Sequence, residues 1–371
     1  MSEDIIYYNI SIENSTREKL ILKYEDTRSG VILEDPSKYR GAVARFNVPG
    51  IDIPITIFDA NELLYVRLTW DNCSINQRVE YVSRKSPDAR KTSYENAVYS
   101  INQYLDIVNN AYSIAMEKLG DICPSFPPID PETGVSIKIL PPIFEFNPTT
   151  RLISFFVEQE YYNDANNPGA NIIGVLMNLA LYSKFSTFDS FAVRNEIIYR
   201  SPPEQSYSEK FQQLIIRSLF EASTVPGFIK VTQEYDSLSL LNDAHTIVFE
   251  SAALPLATEY IPPSSFSRNS SRSIITDFLI PSLSNDRSDI QFAGTGLQLR
   301  WIDLVSDIPL RSIDIAGYWQ NKSGELFPLT VPEYDLFTCK LAFRKKDRYS
   351  EKRIKHTIKY SMHQPNEEEQ E

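Results

Sequence analysis

Apolar and polar residues alternate along both ends of this chain, and only in the middle does the apolar spacing widen to threes and fours. At 62–70, ELLYVRLTW places Leu64, Val66, Leu68 and Trp70 on one side and Tyr65, Arg67 and Thr69 on the other, the period of a half-buried antiparallel strand. FTCKLAFRK at 337–345 repeats the pattern, with Phe337, Cys339, Leu341 and Phe343 against Thr338, Lys340 and Ala342. Shorter runs also read as strands: IIYYNISI at 5–12, LILKY at 20–24, and apolar segments at 31–33, 42–46 and 51–58, separated by Ser-Gly, Asp-Pro and Pro-Gly breaks. From residue 228 onward FIKVTQEY, HTIVFESAAL, SIITDFLI, TGLQLRWIDL and IDIAGYW continue the series.

The middle differs. Val98, Ile101, Leu105, Val108, Tyr112, Ala115 and Leu119 fall on one helical stripe, which predicts a helix over 93–119, with Thr92 and Glu95 as a capping box and Gly120 as a left-handed cap. Its Ala and Tyr content favours packing on a sheet over a coiled coil. A proline-rich connection follows, then a hairpin turning at Asn147-Pro148. SEKFQQLIIRSLFEA at 208–222 predicts a short helix with Phe211, Leu214, Ile215, Leu219 and Phe220 on one face. Strands on both sides of a mixed middle are the order expected of one β domain interrupted by an insertion.

Composition agrees with mostly β structure, since 21 Tyr and 20 Phe suit pleated surfaces, and 23 Pro against 12 Gly suit rigid loops. The net charge of −12 excludes a broadly nucleic-acid-attracting surface. The exception is 344–359, RKKDRYSEKRIKHTIK, ahead of the acidic EEEQE terminus. Cys73, Cys123 and Cys339 form no CxxC pair and are expected as small buried apolar groups, not cross-links, in a protein made in a reducing compartment. The N-terminus lacks a basic, apolar leader, and the longest apolar run, NIIGVLMNLALY at 171–182, is too short to span a bilayer, so no membrane insertion is expected. The sequons at Asn9, Asn14, Asn72, Asn269 and Asn321 therefore lack a secretory context.

Candidate chemistry is sparse. His245, His356 and His363 form no HExxH, GTG at 294–296 is a turn, and no phosphate-loop or GxSxG motif occurs. A carboxylate-pair glycosidase would have to draw on Asp286 with Asp289, or on Asp303, Asp307 and Asp314. In WIDLVSDIPLRSIDIAGYW at 301–319, however, the aspartates fall between apolar positions, which sends them outward or into turns for Arg300 and Arg311 to pair with. No catalytic, metal or cofactor residue is assigned. Trp301, Tyr318 and Trp319 are the better candidates there, for core or subunit contact.

Several segments resemble the penton, or minor capsid, proteins of polinton-like viruses and virophages. They are EDTRSGVILEDPSKYRGAVARFNVPGIDIPITIF with its Thr-Arg, Asp-Pro-Ser and Arg-Phe elements, TIVFESAALPLATEYIPP, ITDFLIPSLSNDRSDIQF and GYWQNKSGELFPLTVPEYDLFTCKLAFRKK. The resemblance implies an antiparallel jelly-roll β-sandwich over 1–92 and 236–347, an inserted α+β region over 93–235 and a charged tail over 348–371. It further implies homopentamers at the five-fold vertices of an icosahedral virion, in contact with a double-jelly-roll major capsid protein. In that setting Lys345, Lys346, Arg348, Lys352 and Arg353 are tail contacts for packaged genome or a neighbouring capsomer. The alternative is a jelly-roll module for host attachment, with Tyr161 and Tyr162 of YYNDANNPGAN at 161–171 stacking on receptor glycans.

Overall fold

The computed structural model describes residues 5–58, 62–81, 96–130, 132–162, 172–199, 206–216, 226–261, 270–280, 289–295 and 298–346. The chain forms two compact units, Met1–Gly50 with Thr246–Leu279 and Ser288–Glu371, and Ile51–His245 with Ile280–Arg287. The expected division placed residues 51–92 with the sandwich. The described residues 51–58 and 62–81 pack in the second unit instead, because Thr56–Ile57 pairs with Ala97–Val98 and Tyr65–Trp70 pairs with Gly174–Asn178, while 82–92 lie outside the described residues.

The first unit is a sandwich of eight main strands: β1 (Ile5–Glu13), β2 (Lys23–Thr27), β3 (Tyr39–Val48), β4 (Ala244–Glu250), β5 (Ile274–Leu279), β6 (Ile290–Ala293), β7 (Ser312–Asn321) and β8 (Leu336–Lys345). One sheet runs β1-β8-β3-β6 and the other β2-β7-β4-β5. The pairs β1–β8, β8–β3, β3–β6, β2–β7 and β4–β5 are antiparallel. Apart from the β4–β5 pair, successive strands thus cross between sheets, and the order reads 1-8-3-6 and 2-7-4-5, the winding of a jelly roll. That is the expected fold class.

Alternation makes the two inner faces. β7 buries Ile313, Ile315, Gly317 and Trp319, with half-buried residues between them. β8 buries Phe337, Cys339, Leu341 and Phe343, and Ala342 as well. Gly317 is required by close approach, since a Cβ there would lie 2.8 Å from Leu22 Cδ2. Five phenylalanines from both sheets fill the space between: Phe46 lies 5.1 Å from Phe249 and 4.7 Å from Phe278, Phe278 lies 4.3 Å from Phe292, and Phe249 lies 6.1 Å from Phe337, centroid to centroid. Connections are pinned by the backbone: Leu20–Ile21 pairs with Thr330–Val331, and single bridges join Leu33 to Leu310 and Leu256 to Leu304. Buried Asn14 donates from Nδ2 to the carbonyls of Glu18, Val331 and Pro332, so this sequon is a loop anchor. Among the described residues of TGLQLRWIDL, the one strand is Ile302–Asp303.

The second unit is built on helix α1 (Ile101–Ile122), whose stripe of Leu105, Val108, Tyr112, Ala115 and Leu119 joins Val66, Leu68, Phe144 and Phe155 in one core. The helix starts later and ends later than the sequence predicts. Val98 belongs to a strand, Ser100 is the N-cap with Oγ accepting from Gln103 N at 3.2 Å, and Gln103 Oε1 accepts from Tyr99 N. Thr92 and Glu95 lie outside the described residues. At the other end Gly120 is helical and Cys123 is the cap.

The helix predicted over 208–222 is, in its described part, a strand, Ser206–Leu214, paired with both Gly174–Asn178 and Ser190–Tyr199, while Leu219 and Phe220 lie outside the described residues. Hydrogen bonds on two edges and burial of Phe211 and Leu214 override the local spacing. Tyr65–Trp70 is buried on both faces because it is an interior strand, with Tyr65 packed on Leu176 and Phe211 and the Arg67 guanidinium 3.9 Å from the Phe211 ring centroid. The Asn147-Pro148 hairpin is as expected, with Arg151 at φ 61° closing it. The cysteine expectation is overturned: Cys73 and Cys123 are joined in a disulfide, Cα atoms 5.9 Å apart, because the turn at 71–72 and the end of α1 converge. Cys339 alone is free and buried, its thiol pushed up to about 12 by desolvation. Among the described residues, no helix is long and apolar enough to cross a membrane.

Candidate assembly surfaces

The three aspartates of 301–319 stand in different environments. Asp303 is exposed and pairs with Arg40 Nε at 2.7 Å and Lys346 Nζ at 3.8 Å. Asp314 accepts from Ser251 Oγ at 2.5 Å, Ala252 N at 2.9 Å and Ala253 N at 2.8 Å, and so holds the turn after β4. Asp307 is exposed in the loop before β7. Arg300, expected to pair with these acids, instead bonds Asp277 at 2.5 Å and Glu259. Asp289 accepts from Asn47 Nδ2 at 2.9 Å, and Asp286 lies outside the described residues. His245 sits exposed on β4, and His356 and His363 lie outside the described residues. Among the described residues no cluster of His, Cys, Asp or Glu could hold a metal.

The aromatic candidates separate by depth. Trp319 is buried, with its ring stacked on Phe327 at 4.3 Å, so it is core. Trp301 and Tyr318 are half-buried, the first facing the Arg344 guanidinium at 6.0 Å and the second facing Arg272 at 5.7 Å. The glycan candidates also separate. Tyr162 is buried and donates from its hydroxyl to Leu140 O at 2.7 Å, burial holding its phenol well above the usual range. It has no face to offer a sugar. Tyr161 is half-buried, its phenol raised by desolvation and then by Glu160, and residues 163–171 lie outside the described residues.

Of the tail candidates, Lys345 and Lys346 are docked on the sandwich. Lys345 Nζ lies 6.0 Å from the Tyr39 ring, and Lys346 donates from N to Lys38 O at 2.8 Å and from Nζ to Leu304 O at 3.3 Å. Arg348, Lys352 and Arg353 lie outside the described residues.

What the sandwich presents to a neighbour is edges and apolar tips. β1 and β6 bound one sheet, β2 and β5 the other. β1 exposes Ile6 and Tyr7, β5 ends on exposed Leu279, the short Leu20–Ile21 strand exposes Ile21, and the loops expose Val305, Ile308 and Tyr334, most of them over 60% accessible. Along the β1–β2 side a polar clasp joins the two sheets: the Tyr8 hydroxyl donates to Asp26, Arg28 Nε donates to the same carboxylate at 2.9 Å, and the guanidinium sits 4.8 Å from the Tyr8 ring centroid. These bonds hold the Asp26 carboxyl below the usual range, the Tyr8 bond contributing most, while desolvation and then Asp26 push the Tyr8 phenol up. Sequence reasoning missed this surface. Ile308 stands exposed in a loop between Asp307 and Pro309, the turn residues of this stretch.

Comparison with known proteins gives this arrangement a family. A structural protein of Sputnik virophage, V19, is 37% identical over 130 residues, a match that spans 33% of this chain and 57% of the relative. A chain of the Sputnik virophage structure solved by cryo-electron microscopy superposes with a TM-score of 0.69 at 22% identity, covering 92% of this chain and 98% of its own. The crystal structure of the mavirus penton protein superposes with a TM-score of 0.64 at 16% identity, covering 93% and 100%. The family model of the Sputnik minor capsid protein V18/19 matches residues 6–345, and the chain therefore belongs to that family.

Proposed function

We propose that this protein is a penton-type capsomer: five copies close into a ring at each five-fold vertex of an icosahedral virion, seated among double-jelly-roll major capsid proteins. Membership of the minor capsid family makes it a structural component of the virion and not an enzyme. The observation that carries the finer reading is the jelly roll with open sheet edges flanked by exposed Tyr7, Ile21, Leu279, Ile308 and Tyr334. A five-fold ring needs two different complementary surfaces on each copy, and a sandwich with edges on opposite sides supplies them. Permanent interfaces of that kind bury on the order of 2,000 Å² or more and are rich in aromatic side chains. The similarity to a penton protein supports the same assembly.

The basic run of the C-terminal end begins at Arg344, with Lys345 and Lys346 beside Tyr39 and Asp303, and its composition suits contact with packaged genome or with the surrounding capsomers. Assembly in a reducing host compartment is part of the reading. Stacking of a host glycan on the Tyr161–Tyr162 pair is disfavoured, because Tyr162 is core.

Native mass spectrometry and negative-stain imaging of the purified full chain test the proposal. The expected result is a pentamer with a five-fold ring in projection. A monodisperse monomer at high concentration, together with absence from the vertices in particle reconstructions, overturns it.

A further inference from the structure

The second unit carries a cross-link whose surroundings bear on when it forms. Cys73 opens the strand Cys73–Arg78 and Cys123 caps α1, 50 residues further on. Contacts that need no oxidised sulfur already bring the two backbones together. The Trp70 ring lies 5.3 Å from that of Phe126, Trp70 Nε1 donates to Ser125 Oγ at 3.3 Å, and Lys118 Nζ donates to Gln77 Oε1 at 2.7 Å. The buried stripe of α1 and the strand Tyr65–Trp70 share one core. A reduced chain with this fold therefore presents two thiols side by side.

Access to them is unequal. Cys123 is buried, whereas Cys73 is half-buried, so an incoming reagent meets Cys73. The third thiol does not compete, because desolvation keeps Cys339 in its thiol form at neutral pH, and the thiolate is the reactive species.

We propose that Cys73–Cys123 is a late-closing staple: the chain folds with both thiols reduced, and a disulfide-bearing thiol oxidoreductase then closes the bond by exchange at Cys73. The Cys73 thiolate attacks the oxidoreductase disulfide, forming a mixed disulfide and releasing one of its thiolates. The Cys123 thiolate then attacks Cys73 Sγ and expels the second. Two protons leave the cysteines and are taken up by the oxidoreductase thiolates, which leave as a reduced dithiol. The closed loop restrains the unfolded chain, so the staple raises stability without altering the folded contacts.

The test begins with the full chain purified under reductant. It is expected to melt cooperatively and to be alkylated at Cys73 well ahead of Cys339. Oxidised glutathione, the disulfide probe, is expected to yield a linked 73–123 peptide in non-reducing mass spectrometry and to raise the melting midpoint by about 5–15 °C. Cys73→Ser and Cys123→Ala should each abolish that rise while melting close to the reduced wild type. Failure of the reduced chain to fold, an oxidised chain that melts where the reduced one does, or free thiols at both positions in protein taken from particles would each overturn the proposal.

Discussion

At the residue scale, one nineteen-residue stretch, 301–319, separates side chains that hold the fold from side chains that only decorate it. Trp319 is buried against Phe327, so Trp319→Ala removes a large ring from a core that can only partly collapse. It is expected to cost about 3–5 kcal/mol in chemical denaturation. Asp314 satisfies a hydroxyl and two backbone donors, and Asp314→Ala orphans them at about 1–3 kcal/mol. Asp307 is exposed, and Asp307→Ala should stay within about 0.5 kcal/mol of the parent. A catalytic pair would instead group Asp303 with Asp307 and leave Asp314 a bystander. Alternation alone showed that the aspartates were not clustered. It could not show that Asp314 caps residues 252 and 253, because that partnership joins positions some sixty residues apart.

The Asp26 clasp is a second residue-scale feature, and it carries a pH signature. Its carboxyl is held below the usual aspartate range by the Tyr8 hydroxyl and then Arg28. A depressed folded value means the stabilisation is present above the ordinary aspartate value of about 4 and is lost as pH falls through the lower folded one. Asp26→Asn should therefore melt below the parent at neutral pH, and the gap should narrow under acid. A gap that is constant with pH would assign the effect to packing instead.

At the element scale, helix α1 shows how far periodicity reaches. Its stripe from Ile101 to Leu119 is written in the sequence and packs as written. Its start is not, because Val98 continues the same spacing yet is held in a strand by Thr56. Ser100 marks the real boundary through its bond to Gln103 N. Ser100→Ala is expected to cost about 1 kcal/mol and Ser100→Asp nearly nothing, measured by denaturant midpoint. The second predicted helix failed for the same reason in stronger form. Phe211 and Leu214, three apart, share one face of a helix but opposite faces of a strand; pairing with two neighbouring strands buries both faces and decides the outcome. Single strands were legible because β7 and β8 carry their burial in their own alternation.

At the scale of the whole molecule, the jelly roll is closed by its last strand. β8 lies between β1 and β3, so the first sheet is complete only when residues 336–345 are in place. The order of strands in space was beyond reach of local pattern, since β1 pairs with β8 across more than three hundred residues. The residues after Lys346 form a distinct charge block, with Arg348, Lys352, Arg353, Lys355 and Lys359 preceding the acidic terminus. These two facts define a paired experiment. Removing 347–371 leaves every pairing of β8 intact, so melting should be unchanged, whereas stopping the chain after Asp335 removes a central strand and should abolish folding. If the basic block neutralises genome phosphates, the 347–371 deletion should also flatten the salt dependence of DNA binding, by about 0.9 in log–log slope for each phosphate it no longer neutralises. Retained binding with an unchanged slope would turn the tail toward the capsomers beside it, where the same deletion should lower the yield of assembled particles.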